Sequence, residues 1–180
     1  MAAHLKAVIV PGNGGGKTGV RDSNWYGWLE DRLSAEPDLF PGGVILRDMP
    51  DPYVARETYW IPFLLDELGV GEDTVLIGHS SGAEAAMRLV EEHRLAGVVL
   101  VCACHTDLGE ESERAAGYYS RPWRWERQKE NTPWILQYHS RDDPFIPVDE
   151  ARHVHANNGS EYHEFADRSH FFRPSDVEVV

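Results

Sequence analysis

The sequence has little cysteine and no long apolar run. Cys102 and Cys104 are its only cysteines, and a Cys-x-Cys spacing rarely forms a structural disulfide, which argues against a disulfide-stapled scaffold. Two thiols without a framework are typical of a reducing compartment, so we expect a cytoplasmic location, with the nucleus also open. The first residues lack the apolar core of a signal peptide, and the apolar run over 7–10 is too short to span a bilayer. The sequence therefore predicts no membrane partner.

Positive charge is also scarce. The chain has 17 Lys and Arg against 30 Asp and Glu, which gives a formal net charge of −13. Nucleic-acid-binding proteins usually carry a basic patch, and because none is visible we expect no nucleic-acid partner. We interpret the acidity as a solvated surface, and the acidic run over 109–113 as a loop or an exposed helix start. With 180 residues and no repeat or linker, the chain is expected to form one domain over 1–180 and to be a monomer.

Short apolar runs alternate with helical patterns along the chain. The predicted strands are 6–10, 44–47, 74–77, 97–102, 134–139 and 161–165. The predicted helices are 25–33, 58–68, 81–93, 122–131 and 148–157. This alternation predicts a single-domain α/β protein with a mostly parallel sheet and helices on both faces. No insertion is long enough to form a large lid domain.

The most informative motif follows the third predicted strand. Gly78-His79-Ser80-Ser81-Gly82 connects an apolar β-run directly to a helix-forming run. Strand, strained turn and helix are the context of a nucleophile elbow, and the Gly-x-Ser-x-Gly pattern centres only on Ser80. Gly78 and Gly82 leave room for the tight crossing because they have no Cβ. The motif predicts a serine hydrolase with Ser80 as its nucleophile.

A serine nucleophile needs a base and an acid, which in this arrangement follow it in the order acid, then histidine. Asp142 and Asp143 both follow the fifth predicted strand. We prefer Asp143, because the prolines after it stiffen the turn and hold the carboxylate, whereas Asp142 could cap the turn. His170 follows the last strand and is the predicted base. His163 is its main rival, but it lies inside a predicted strand.

The reaction also needs two backbone N–H groups that bind the developing oxyanion. One is expected from Ser81, the residue after the nucleophile. The other is expected from the loop after the first strand, where we choose the N–H of Asn13. The competing interpretation of that loop is a flexible glycine turn, since four of the five residues over 12–16 are glycine.

The same loop nearly matches a phosphate-binding motif. Its sequence is Pro11-Gly12-Asn13-Gly14-Gly15-Gly16-Lys17-Thr18. The P-loop pattern needs glycine where Pro11 stands, and no helical pattern begins directly after Thr18. An NTPase is therefore the weaker alternative. A non-catalytic binding protein on a hydrolase scaffold is a second one. We expect no cofactor and no metal, since His153-x-His155 lacks the carboxylates that would complete a site.

Aromatic residues cluster after two strand ends and could line a substrate pocket as well as the core. The pocket candidates are Trp25, Trp28, His79, Trp123 and Trp125. His79 adjoins the nucleophile but is expected to point away from it. Without a lid domain, a small ester or amide, including an aminoacyl or peptide-like compound, is the expected substrate.

Together these segments resemble the retinoblastoma-binding protein 9 family of small α/β-hydrolases. The resemblance covers most of the chain and is carried in order by 6–16, 25–28, 49–52, 77–83, 107–109, 121–126, 142–145 and 170–171. It implies a compact serine hydrolase whose triad falls on Ser80, Asp143 and His170. Members usually carry a C-terminal helix after the base, and only ten residues follow His170 here, so we expect that flank of the sheet to be less covered.

The family's name comes from binding the retinoblastoma protein, which is associated with a Leu-x-Cys-x-Glu motif. The corresponding segment here, Leu100-Val101-Cys102-Ala103-Cys104, has cysteine where that motif needs glutamate. The segment also falls in a predicted buried strand. The sequence therefore gives no support for that partnership.

Overall fold

The computed structural model describes residues 4–14 and 18–177, and its centre is a six-stranded, fully parallel sheet. The strands are β1 (Lys6–Val10), β2 (Val44–Leu46), β3 (Thr74–His79), β4 (Gly97–Val101), β5 (Ile135–Ser140) and β6 (Glu161–Phe165). Their order across the sheet is β2-β1-β3-β4-β5-β6. The predicted α/β fold with a parallel sheet is confirmed.

Within residues 4–14 and 18–177, seven α-helices connect or flank these strands. They are α1 (Tyr26–Ser34), α2 (Glu57–Pro62), α3 (Ser81–Glu92), α4 (Glu111–Ala116), α5 (Trp125–Asn131), α6 (Val148–Asn158) and α7 (Pro174–Val177). In the described part of the chain, no helix combines the length and the apolar character needed to cross a membrane.

The alternating pleat of the strands divides the core into two layers. Val8, Leu76 and Leu100 point to one face, where they pack with α2, α3 and α6. Ile9 and Ile77 point to the other face, which is covered mainly by α1. Because both faces are apolar, the central strands read as continuous hydrophobic runs.

Two of the element boundaries that differ from the prediction have a local physical cause. β4 ends at Val101, one residue early, because Cys102 has a positive φ of 56° and leaves the strand direction. The predicted helix over 58–68 is α2 followed by a π-helical segment, Phe63–Glu67, since Pro62 has no N–H to continue the α-helical ladder. The acidic segment that we interpreted as a loop or helix start contains the short helix α4.

Candidate active site

The carboxyl ends of the parallel strands meet at one edge of the sheet, where ligands of such sheets usually bind. Gly12 follows β1, Ser80 follows β3, Asp143 follows β5 and His170 follows β6. Ser80 and His170 line one cavity at this edge, with a volume of about 570 Å³. The fold therefore gathers residues that are up to 158 positions apart in the sequence.

Ser80 lies in a strained turn between β3 and α3. Its backbone has φ 54° and ψ −125°, a conformation that L-residues rarely adopt. A Cβ on Gly78 would lie 2.2 Å from the carbonyl oxygen of Gly82, and a Cβ on Gly82 would lie 2.3 Å from that of Val10. Both positions therefore require glycine, as the elbow motif predicts.

His170 and Asp143 form a buried hydrogen-bonded pair. The distance from His170 Nδ1 to Asp143 Oδ2 is 2.7 Å, and the Asp143 side chain is 0% exposed. Asp143 Oδ1 accepts the N–H groups of Phe145 and Ile146, at 2.9 and 3.0 Å. Burial acts to raise the pKa of Asp143, but the hydrogen bond and charge interaction with His170, together with these N–H groups, lower it overall. Asp143 is thus held as an anion that orients the imidazole.

Asp142 has different partners. Its Oδ1 accepts the Ser140 hydroxyl at 2.6 Å and the Ser169 N–H at 2.8 Å, and the residue is exposed. The hydrogen bond from Ser140 is the largest cause of its lowered pKa. Asp142 therefore fastens the backbone of the loop that carries His170, whereas Asp143 contacts the ring.

Two consecutive N–H groups in the loop after β1 have different surroundings. The Gly12 N–H donates to the Tyr26 hydroxyl at 2.9 Å, so it is already used within the protein. Asn13 lines the cavity. Ser81 is the first residue of α3, so its N–H has no intrahelical acceptor. Asn13 and Ser81 therefore remain the predicted donors to the oxyanion.

The cavity is acidic, and aromatic side chains stand at its rim. Glu84, Glu110 and Glu113 line it, and no Lys or Arg is among the described residues that do so. Burial raises the pKa of Glu84 well above its ordinary value and also raises that of Glu113. Phe145 and Phe172 lie with their ring centroids 5.1 and 5.5 Å from that of His170, although they are 62% and 40% exposed. Neither residue was predicted from the sequence, although each lies within two residues of a predicted catalytic residue.

The tryptophans predicted as pocket candidates lie elsewhere, which corrects that prediction. Of the five candidates, only His79 is among the described residues that line the cavity. Trp25 is 1% exposed in the core and donates its indole N–H to the Phe171 carbonyl, and Trp28 packs against the same core layer. Trp123 donates to the His105 carbonyl and stacks on Trp125, with ring centroids 5.7 Å apart.

The alternatives left open by the sequence also have definite positions. His163 lies on β6 with its side chain 43% exposed and beside Glu161. Gly15, Gly16 and Lys17 of the phosphate-loop alternative lie outside the described residues. The next described element is a short 3₁₀ helix, Val20–Asp22, so no α-helix begins directly after Thr18.

Among the residues that the structure describes, two groups of side chains have potential metal-ligating atoms within 4.8 Å of one another. One is His79, Cys102 and His170, and the other is Cys102, His139 and Asp143. Both share Cys102, whose thiol pKa burial raises well above its ordinary value, so that the thiol stays protonated. Asp143 and His170 already bond each other, so a metal ion would compete with that pair.

The sequence of this chain is similar to those of known serine hydrolases. A family model described as serine hydrolase matches residues 7–177. Serine hydrolase RBBP9 of Rattus norvegicus is 48% identical over 180 residues, which is all of this chain and 94% of the relative's length.

Solved structures share the same fold. The ydeN gene product of B. subtilis superimposes with a TM-score of 0.79 at 22% identity, over 93% of this chain and 88% of that one. A putative yden-like hydrolase of Pectobacterium atrosepticum gives a TM-score of 0.65 at 25% identity, over 94% of this chain and 80% of that one.

Proposed function

The chain belongs to the serine hydrolase family, and from that premise we propose that it cleaves small esters or amides with Ser80, His170 and Asp143 as its catalytic triad. The observation that carries the proposal is the 2.7 Å bond from His170 Nδ1 to the buried Asp143 carboxylate, in the same cavity as the strained Ser80 elbow. Nucleophile, acid and base follow each other along the chain in the order expected for this fold.

The proposed reaction is acyl transfer in two steps. His170 takes the Ser80 proton while Oγ attacks the substrate carbonyl, and Asp143 stabilises the imidazolium that forms. The N–H groups of Asn13 and Ser81 bind the oxyanion. His170 then gives its proton to the leaving alcohol or amine, which leaves an acyl group on Ser80. A water molecule, deprotonated by His170, attacks this ester and releases the acid.

The cavity wall suggests which small substrates fit. Glu110 and Glu113 would repel an anionic substrate, while the exposed rings of Phe145 and Phe172 offer an apolar contact beside His170. We therefore propose an ester or amide with an apolar part and with no negative charge. We also propose a reducing compartment as its location, because Cys102 and Cys104 are both unpaired.

Labelling by a fluorophosphonate probe tests the nucleophile. We expect the wild type to be labelled, Ser80→Ala to lose labelling, and Ser81→Ala to retain it. Ser81→Ala is a matched control because it removes a neighbouring hydroxyl but keeps the N–H proposed to bind the oxyanion. Strong labelling of a folded Ser80→Ala variant would contradict the assignment.

Three esters of one alcohol extend this test to the substrate class. Their acyl chains have equal length and end in a methyl, an ammonium or a carboxylate group. We expect Ser80-dependent hydrolysis of the carboxylate ester to have a kcat/KM at least about 10-fold below the others, because like charges meet in the cavity. Glu113→Gln should narrow this difference. A preference for the carboxylate ester would refute the proposed substrate class while leaving the triad intact.

A further inference from the structure

Two consecutive aromatic residues at the start of α1 reach the loop that carries His170. Trp25 Nε1 donates to the carbonyl of Phe171 at 2.8 Å. Tyr26 reaches the preceding carbonyl through His79: its hydroxyl lies 2.7 Å from His79 Nδ1, and His79 Nε2 lies 2.9 Å from the oxygen of His170. Tyr26 and His79 are 2% and 1% exposed. We call the loop over 166–173, which carries His170, the base loop. It is therefore held from the protein interior at two successive carbonyls.

The direction of each hydrogen bond in this chain follows from chemistry. A carbonyl oxygen can only accept, so His79 Nε2 carries the hydrogen. Burial lowers the pKa of His79 to about 3, which leaves the ring neutral with only one N–H near neutral pH. Nδ1 must then accept, and the Tyr26 hydroxyl donates to it. The Tyr26 oxygen in turn accepts the N–H of Gly12 at 2.9 Å and Asn24 Nδ2 at 3.0 Å.

The base loop needs such support because its backbone is strained. Ser169 and Phe171, on either side of His170, have positive φ values of 51° and 52° although neither is glycine. Conformations of this kind persist only where surrounding contacts hold them. Asp142 holds the loop at the Ser169 N–H, and His79 holds it at the His170 carbonyl.

At its other end, this series of hydrogen bonds reaches the loop that carries Asn13. Because the Gly12 N–H donates to the Tyr26 hydroxyl, it is not available to a substrate, and this hydrogen bond anchors the residue that directly precedes Asn13. His79 directly precedes Ser80 in the sequence, so this series of hydrogen bonds passes through the residue next to the nucleophile. One series of hydrogen bonds thus connects the loops on the two sides of Ser80.

We propose that Tyr26 and His79 are positioning residues, which hold the oxyanion loop and the base loop in register through the chain Gly12 N–H, Tyr26 hydroxyl, His79 and His170 carbonyl. The proposal rests on the proposed function, since it assumes that Ser80 and His170 carry out the chemistry. Their side-chain hydrogen bonds to other groups go to the backbone of Gly12 and His170 and to Asn24, not to the Ser80 hydroxyl or the His170 ring. Loss of this series of hydrogen bonds should therefore lower kcat and leave KM nearly unchanged.

Three variants test this role. His79→Leu removes both hydrogen bonds of the ring, whereas His79→Gln keeps one donor and one acceptor; Tyr26→Phe removes only a hydroxyl. We expect His79→Leu and Tyr26→Phe to lower kcat on a p-nitrophenyl ester by about 10- to 100-fold, because small displacements of catalytic groups have effects of this size. KM should stay within about two-fold, and His79→Gln should recover most of kcat.

Several outcomes would overturn the proposal. These are a wild-type kcat in Tyr26→Phe, an effect on KM alone, or a His79→Gln variant as impaired as His79→Leu. An effect on KM alone would instead make His79 a substrate contact. Melting temperatures identify any variant that fails to fold, and if His79→Leu is one of them, the nearly isosteric Tyr26→Phe decides the question.

A measurement independent of activity separates this proposal from the proposed function. If wild-type hydrolysis does not depend on Ser80, the proposed function fails. Nitrogen-15 NMR of the histidine rings still shows whether these hydrogen bonds are present. We expect the His79 ring to be neutral with its hydrogen on Nε2 near neutral pH. In Tyr26→Phe, the ring should no longer have this single tautomer. A ring with its hydrogen on Nδ1 would overturn the positioning role whatever the activity.

Discussion

At the scale of single residues, the adjacent carboxylates Asp142 and Asp143 have separate tasks that their hydrogen bonds make testable. Asp143→Asn should lower kcat by roughly 10⁴-fold, because an amide facing Nδ1 favours the wrong imidazole tautomer. Asp142→Asn should retain more activity, since its side-chain oxygen can still accept the Ser169 N–H. Steady-state kinetics on one ester decides between them. The reverse order of activity would assign the acid role to Asp142.

Sequence order and turn chemistry sufficed to nominate Ser80, Asp143 and His170, because each is defined by its place after a strand. The tryptophans could not be assigned in the same way, because the spacing of aromatic residues does not distinguish a cavity wall from a core. Trp25 is in the core, where its indole N–H finds the Phe171 carbonyl. Tyr26, its neighbour, carried no recognisable signal, because its partners Gly12 and His79 are distant in sequence.

At the scale of elements, the close approach of α3 to β1 depends on Gly82. A Cβ there would meet the backbone oxygens of Val10 and Pro11 at 2.3 and 2.6 Å, and backbone atoms cannot rotate away as a side chain could. Gly82→Ala should therefore reduce the free energy of unfolding by about 2 kcal/mol or more, and it should slow fluorophosphonate labelling because Ser80 begins this helix. Urea unfolding measures the first effect.

Gly71→Ala is the matched control for this substitution. A Cβ at Gly71 meets nothing within 4 Å, so we expect a change within about 0.5 kcal/mol. Equal stabilities of the two variants would mean that α3 and β1 are not in close contact at Gly82.

The elements themselves were largely predictable, because a period-two or period-3.6 pattern is local. β1 and β6 have the predicted bounds, and the other predicted strands end within two residues of their predictions. The early end of β4 could not be predicted, because the positive φ of Cys102 is a conformation that L-residues rarely adopt and that no local sequence pattern indicates. Helix α4 could be predicted only as one of two alternatives, because its acidic sequence lacks an apolar stripe.

At the scale of the whole molecule, the fold follows from strands and helices that alternate, but the pairing of distant loops does not. The strand order places β1 beside β3, but β6 lies at the far edge, so the loop after β6 extends back across the sheet to bring His170 to His79. That arrangement buries His79 among Tyr26, His170, Cys102 and Asp143, and so links the protonation of one ring to the stability of the entire fold.

This linkage has a definite sign. Burial lowers the pKa of His79 from 6.5 to about 3 in the folded protein, so below pH 6.5 the unfolded chain binds a proton that the folded protein does not. The free energy of unfolding therefore contains a contribution that is fully present above pH 6.5 and is lost as the pH falls towards 3. Burial also lowers the pKa of His105 and His139, which adds to the trend, while the raised pKa of Glu84 opposes it.

Comparison with His79→Gln isolates the single ring from these other groups, because glutamine keeps a donor and an acceptor but does not titrate. We expect the wild type to lose about 1 kcal/mol more than His79→Gln between about pH 6.5 and pH 5.5, measured by urea unfolding. Above about pH 7.5, the free energies of unfolding of the wild type and His79→Gln should change with pH in parallel, because the ring is neutral in both the folded and unfolded states there. Parallel behaviour over the whole range would show that the fold does not hold His79 neutral, and it would remove the basis for the fixed direction of the chain from Gly12 to His170.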